Sequence, residues 1–177
     1  MAKTLIVVEN FFDNLNIIEE ELKKIPLYDL EEMQSLIKAG DDKTGQWPGK
    51  RSLCLNEAAP FLFNLIIKEK KEKFKNIFAN SKWSISSHIH LRLKSDDKND
   101  WIHRDVWDYG MLIYLNNNLQ SGTNFYPDDS DEPNMVVKCV KNRAILFNGD
   151  IRHRSMKNFG NNIEDGRLTI NLFLKKM

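Results

Sequence analysis

Two kinds of hydrophobic spacing divide the chain near residue 83. Before that point apolar residues recur mainly at helical intervals, and after it they alternate with polar ones as strands do. Residues 4–9, rich in β-branched side chains, read as a short strand. Asp13 is placed to cap a helix running to about Lys24, with Leu15, Ile18 and Leu22 on one side, and Pro26 stops it. Residues 29–39 fit neither period cleanly and end at Gly40, and residues 44–52 are loop-like. The longest helical pattern covers residues 56–78, where Leu62, Leu65, Ile66, Phe74, Ile77 and Phe78 share one side and lysines 68–73 cover a solvated one. From Trp83 onward short β-rich runs follow one another over residues 83–94, 109–116, 123–126, 135–141, 143–148 and 167–174, separated by turn-prone clusters. An all-β sandwich or barrel with helices placed first in the chain is the expected architecture.

Two runs say more than their type. In residues 167–174, Leu168, Ile170, Leu172 and Leu174 point one way while Arg167, Thr169, Asn171 and Phe173 point the other. In residues 109–116, Met111, Ile113 and Leu115 oppose Leu112, Tyr114 and Asn116. The aliphatic rows need a cover, which the upstream helices can supply. The opposite rows suit a container for a polar ligand, although a sheet with one face in water gives the same alternation.

Composition narrows the classes of partner. A chain of 177 residues is most simply one domain, residues 1–177, and 41% hydrophobic with 29% charged residues fits a globular protein. The net charge of +1 gives no field for steering onto nucleic acid or anionic lipid. Lysines 68–75 are therefore read as a helix surface, and the acidic block 128–132 as a local feature. Cys54 and Cys139 form no C-x-x-C pair and are expected as buried free thiols in a reducing compartment. The opening apolar run is too short for a secretory signal, and no run reaches the roughly 18 apolar residues needed to span a bilayer. The cytoplasm is the default location.

The candidate chemistry lies in the β-rich half. His103 and Asp105 form an H-x-D pair, which in an extended strand presents a nitrogen and an oxygen to one side. The stretch from Asp105 to His153 is long enough to include several strands and return to the same cavity. Two histidines and one carboxylate would occupy one face of an octahedron and leave open positions, the ligand set of a mononuclear non-haem iron(II). Arg167, on a nearby strand, could then hold an acidic cosubstrate. An H-x-D pair also arises by chance among four histidines, and His88 and His90 compete by pointing two imidazoles to one side of a strand. No glutamate follows them in Leu91-Arg92-Leu93-Lys94-Ser95, however, so surface or hydrogen-bonding roles suit them better. Trp101, Trp107 and Tyr109 suggest a buried setting for His103 and Asp105.

Taken in order, His103-Arg104-Asp105, Tyr114-Leu115-Asn116, residues 121–126 (Ser-Gly-Thr-Asn-Phe-Tyr), Leu146-Phe147-Asn148 followed by His153, and residues 166–174 opening with Gly166-Arg167 resemble the Fe(II)- and 2-oxoglutarate-dependent dioxygenase superfamily, most nearly its prolyl-hydroxylase-like branch. The resemblance covers about residues 83–174. It implies a double-stranded β-helix, or jelly-roll, with N-terminal helices packed on one sheet. It implies iron held by His103, Asp105 and His153, and the C5 carboxylate of 2-oxoglutarate paired with Arg167, whose planar fork suits a carboxylate. Tyr114 matches a tyrosine whose hydroxyl supports that carboxylate; the alternative is an ordinary core aromatic. The branch carries a tyrosine on the strand before H-x-D, where counting back places Leu93, so Asn171 and Thr169 are the candidates left for the C1 end.

The implied reaction consumes O2, converts 2-oxoglutarate to succinate and CO2, and hydroxylates a C–H bond of a protein residue or small metabolite. Nucleic-acid demethylation is a weaker alternative, because the sixth position after Arg167 is Phe173 rather than a second arginine. A non-catalytic jelly-roll that binds a ligand is the other. Loops 47–52, 127–134 and 158–165 are candidates for the barrel mouth. The first could turn its backbone inward at Gly49 and bring Lys50 or Arg51 to an anionic substrate; the acidic second one reads as mobile and solvated.

Overall fold

The computed structural model describes residues 3–36, 47–79, 81–99 and 101–177. The end expected at Gly40 for the ambiguous stretch 29–39 and the start of the loop at Thr44 lie outside the described residues. The elements run β1 (Leu5–Val8), α1 (Leu15–Leu22), α2 (Leu30–Leu36), β2 (Lys50–Arg51), α3 (Leu55–Ala58), α4 (Pro60–Lys73), α5 (Lys75–Phe78) and β3 (Trp83–Arg92). After a 3-10 turn over Lys94–Asn99 come β4 (Tyr109–Tyr114), β5 (Asn118–Tyr126), β6 (Met135–Cys139), β7 (Ala144–Asn148), β8 (Arg152–Ser155) and β9 (Arg167–Lys176). Among the described residues no helix is long and apolar enough to cross a membrane.

Alternation in the strands dictates two antiparallel layers. The large sheet has the order β1-β7-β4-β9-β3-β2 and the small one β6-β5-β8. Ile89 and Leu91 of β3, Met111 and Ile113 of β4, and Leu168, Ile170, Leu172 and Leu174 of β9 share one face of the large sheet. They bury it against Ile18, Leu22, Leu55, Leu62, Ile66, Phe74 and Phe78 from the helical half. The other face meets the small sheet, with Tyr114, Ile145 and Phe147 packed on Phe125, Val137 and Cys139. The result is a jelly-roll with helices covering one sheet, as the alternation and the resemblance both imply.

Several details depart from the sequence reading. The helix expected over residues 56–78 is divided into α3, α4 and α5. Pro60 stands at the first turn of α4 and lacks an N–H, and it drives Ala59 to φ −150°, out of the helical region. Asp13 does not cap α1, whose cap residue is Asn14 with no side-chain cap bond; Asp13 pairs instead with Lys73 at 2.8 Å. Lysines 68–73 do not all face solvent. Lys70 continues the Leu62–Ile66 row at a spacing of four, is only 2% exposed, and sets its ammonium 4.0 Å from the Phe78 ring centroid. Cys139 is buried but Cys54 is only partly so, and both are free thiols. Strand β8 lies in a stretch, Arg152-His153-Arg154-Ser155, that carries no apolar alternation.

Candidate metal centre

Strand β8 pairs with β5 and places Phe125 opposite His153. On its other side the backbone of His153 exchanges two hydrogen bonds with His103, at 2.9 and 3.0 Å, so His103 extends the small sheet by one bridge. Asp105 follows beyond the ladder. Its N–H donates to the Gly149 carbonyl at 2.8 Å, and no full strand carries the H-x-D pair. Gly149 must be a glycine here, because a Cβ would sit 1.9 Å from the Trp107 carbonyl and push the 105–107 segment away. Gly110 similarly leaves room beside the Asp105 carboxylate, 3.0 Å from where a Cβ would stand.

These contacts gather His103, Asp105 and His153 so that one ligand atom from each lies within 4.8 Å of the others. The imidazole centroids are 4.4 Å apart, and Nε2 of His153 is 3.7 Å from an Asp105 oxygen. Nδ1 of His103 lies 3.0 Å from the Trp101 carbonyl and Nδ1 of His153 2.9 Å from the Ile151 carbonyl. A carbonyl accepts only, so each ring donates Nδ1–H and keeps its lone pair on Nε2. Nε2 of His153 is turned toward the Asp105 carboxylate, and with the ring neutral these are two acceptors that a cation between them makes favourable. Backbone carbonyls that fix the donor tautomer are the usual support behind metal-binding histidines. The residues present therefore fit a divalent ion.

Behind the triad opens a cavity of about 250 Å3, lined in part by Arg51, His90, Arg92, Thr123, Ser155, Arg167 and Asn171. Arg167 is 2% exposed, and among the described residues it makes no ion pair with Glu164 or Asp165. Its Nη2 donates to the Thr123 hydroxyl at 3.4 Å, and Thr123 lies 2.7 Å from the Tyr114 hydroxyl. Tyr114 in turn donates to the Val137 carbonyl at 3.3 Å, so its single proton is committed there and Thr123 donates to the phenol oxygen. The Arg167 guanidinium sits 5.5 Å from the Tyr114 ring centroid, and its Nε is buried without a partner. Burial pushes the Tyr114 phenol up to about 12, so it stays neutral.

The remaining candidates separate cleanly. Asn171 lines the cavity, and its buried side-chain oxygen has no partner. Thr169 instead turns its hydroxyl to the His90 carbonyl at 3.4 Å. Tyr114 points inward but does not reach the cavity wall; it backs Thr123. Leu93 packs against the helix-covered core, and on the opposite face of β3 His90 and Arg92 line the cavity. His88 and His90 are not part of the triad. His88 spans Ser52 O and Ser86 Oγ at 3.0 Å each, and His90 donates Nε2–H to the Pro48 carbonyl at 2.8 Å.

Of the three expected mouth loops only 47–52 reaches the cavity, through Trp47, Pro48 and Arg51. Gly49 makes its turn with φ +83°. The acidic loop 127–134 is held down instead: Arg152 donates to the Pro127 and Ser130 carbonyls at 2.8 and 2.9 Å, while Asp128 meets Lys3 and Arg104 at 3.0 Å. In loop 158–165, Asp165 accepts from the Asn161 and Asn162 amides. Trp101 is 47% exposed and stands at the edge of His103 rather than sealing it. Of the two basic residues expected to turn inward in loop 47–52, Arg51 lines the cavity and Lys50 does not. Arg92 lines it too without having been expected there, although the alternation His88, His90, Arg92 carried the signal.

No protein-family model matches the chain, and a search of curated proteins finds no match either. Solved structures do match. A 2OG-Fe(II) oxygenase-family oxidoreductase from Burkholderia pseudomallei superposes with TM-score 0.67 at 16% identity, over 98% of this chain and 84% of that one. HygX from Streptomyces hygroscopicus, with nickel, 2-oxoglutarate and hygromycin B bound, gives 0.67 at 11% identity, over 98% and 83%. A prolyl-4-hydroxylase from Pseudomonas putida gives 0.60 at 12% identity, over 99% and 94%. The chain has the fold these oxygenases share.

Proposed function

We propose that this protein is an Fe(II)- and 2-oxoglutarate-dependent dioxygenase acting on a small metabolite or a protein residue. The observation that carries the reading is the triad, two histidines oriented by backbone carbonyls and a carboxylate within reach of both, set in one cavity with a buried arginine that has no anionic partner among the described residues. His103, Asp105 and His153 would hold the iron. The iron with 2-oxoglutarate and O2 supplies oxidative decarboxylation to succinate and CO2, coupled to hydroxylation of a C–H bond.

The protein's own groups bind and orient. Arg167 grips the C5 carboxylate of 2-oxoglutarate; a buried guanidinium without an anion is unfavourable, and the dicarboxylate resolves that. Thr123 and Tyr114 hold the guanidinium in place, Thr123 by accepting from it and Tyr114 by accepting from Thr123. Asn171 lines the same cavity, where its side-chain NH2 is the group able to donate to the rest of the cosubstrate. Phe125 and Phe147 pack against His153 with centroids at 6.3 and 4.7 Å and keep water from that side of the triad.

The test is anaerobic loading with iron(II), followed by O2 and 2-oxoglutarate, with succinate as the readout. Succinate formed by the wild type and lost in Asp105→Ala supports the reading. Tight binding of metal and 2-oxoglutarate with no succinate under any condition would make the protein a binding module instead.

A further inference from the structure

Two features of the sequence have no part in the cavity wall: the arginine inside His103-Arg104-Asp105 and the acidic block 128–132. The structure joins them to each other. Successive residues of an extended chain point to opposite faces, so the neighbours of inward ligands look outward. His103, Asp105 and His153 line the cavity, while Arg104 and Arg152 reach away from it to loop 127–134, which links β5 to β6.

Arg152 commits its whole fork to that loop. Nη1 donates to the Pro127, Asp128 and Ser130 carbonyls at 2.8, 3.4 and 2.9 Å, and Nη2 donates to the Asp131 carboxylate. Arg104 donates through Nη2 to the Asp128 carboxylate at 3.0 Å, and through Nη1 to the Asp150 carbonyl in the turn that enters β8. Lys3 adds a third cation, 3.0 Å from Asp128. The loop is closed at its base, where the Asn134 amide donates to the Phe125 carbonyl at 3.1 Å; Phe125 is the residue that faces His153 in the β5–β8 ladder. One loop is thus fastened to both segments that carry the ligands, 103–105 and β8.

These fastenings matter because the two segments are weakly held by themselves. Strand β8 is four residues long and has no apolar alternation. Residues 103–105 form no full strand; among the described residues their backbone is held by the bridge to His153 and by the Asp105–Gly149 bond. Three ligands on two such segments converge only while the segments keep their spacing. Apparent metal affinity falls with the fraction of molecules in which they do. We propose that Arg152 and Arg104 are positioning residues for the metal centre, acting through loop 127–134, which buckles the two ligand-bearing segments together from outside. This rests on the triad being a metal site.

Calorimetric titration of the full chain with nickel tests it, because a buckle and a bare charge predict opposite signs. Arg104 and Arg152 are cations close to a cation site, so through their fields alone removing either would tighten nickel binding. Loss of the buckle weakens it. Arg152→Met should raise the nickel Kd about 10-fold, the low end for an outer residue supporting a metal ligand. Arg104→Met, at a more exposed pair, should raise it about 2- to 5-fold. Arg152→Lys keeps the charge without the fork and should fall between Arg152→Met and the wild type. The visible absorption of the cobalt(II)-loaded protein should change in Arg152→Met as the ligand geometry shifts. Arg143→Met controls for a merely structural loss. The Arg143 side chain is 20% exposed against 21% for Arg152, and it also bonds a carboxylate and a carbonyl, those of Glu9 and Lys138, but it stands on neither ligand-bearing segment. Its replacement should lower the urea midpoint of the metal-free protein comparably and leave the nickel Kd and cobalt spectrum as in the wild type. The proposal falls if Arg152→Met binds nickel as well as or better than the wild type, or if Arg143→Met weakens binding equally. Should Arg152→Met not fold, the exposed Arg104→Met decides by the same sign. A wild type that binds neither nickel nor cobalt would remove the metal site itself, and the oxygenase reading along with this one; a wild type that binds them with Arg152→Met unaffected removes this one alone.

Discussion

A histidine that donates Nδ1–H to a carbonyl two residues back has only Nε2 left for another task. Both triad histidines are in that state, so the centre is set for a cation before one arrives. Removing Asp105 leaves two neutral donors and no anion; Asp105→Ala should abolish succinate formation and metal binding, both measurable on purified protein. Arg167 acts one layer deeper. Replacing it with Gln keeps much of the volume and some hydrogen bonding but removes the charge facing a buried carboxylate. The half-saturating 2-oxoglutarate concentration should rise about 10- to 100-fold. An unchanged value in succinate assays would remove Arg167 from that role. Gly149 tests the backbone behind Asp105: the Ala variant must shift the Trp107 carbonyl, and metal affinity should fall with little loss of secondary structure by circular dichroism.

Among the elements, α4 carries the clearest internal conflict. Lys70 completes an apolar row with Leu62 and Ile66, and its ammonium is buried over Phe78. Desolvation lowers its pKa from 10.5 to about 8. Below pH 8 the native state holds a poorly solvated charge; between about 8 and 10.5 the unfolded lysine binds a proton that the native one has released, so stability rises with pH through that window. The cation–π contact and residual solvent screening offset part of the penalty. Lys70→Met should therefore raise stability at pH 7 by about 1 kcal/mol, with the gain shrinking as pH climbs past 8. Urea unfolding at pH 7 and 9.5 measures both. Strand β8 shows the opposite relation of pattern to structure. Charged at alternate positions, it is a strand because β5 and His103 pair with it, not because of its own propensity.

For the molecule as a whole, metal binding is linked to folding. The triad draws on two segments, 103–105 and β8, that no helix covers, and a bound ion would clamp them together. At a free metal concentration near 100 times Kd the native state should gain about 2.7 kcal/mol, or about 5 to 10 °C in Tm for a domain of this size. Nickel or anaerobic iron(II) should give this shift in the wild type and none in Asp105→Ala. The large sheet has one face sealed by helices, and its other face encloses the cavity with β5 and β8 of the small sheet. Of the polar groups on that wall, Arg51, His90, Arg92, Arg167 and Asn171 come from the adjacent strands β2, β3 and β9.

Local periodicity was enough to assign faces. Alternation in β9 separated Leu168, Ile170, Leu172 and Leu174 from Arg167, Thr169 and Asn171, and the packing follows that division because side chains of a strand have no other choice. The residue types of His103, Asp105, His153 and Arg167 likewise named the chemistry they could do. What depended on distant partners was hidden. The exposure of Trp101, the burial of Lys70 and the commitment of Thr169 to His90 all depend on what packs opposite. The cluster of Arg51 and Arg92 with Arg167 exists only through the register of β2 on β3 and of β3 on β9. Intrinsic preference acts within a few residues and so is written in the chain; charge density in a cavity is a sum over strands far apart in sequence, and only the closed fold performs that sum.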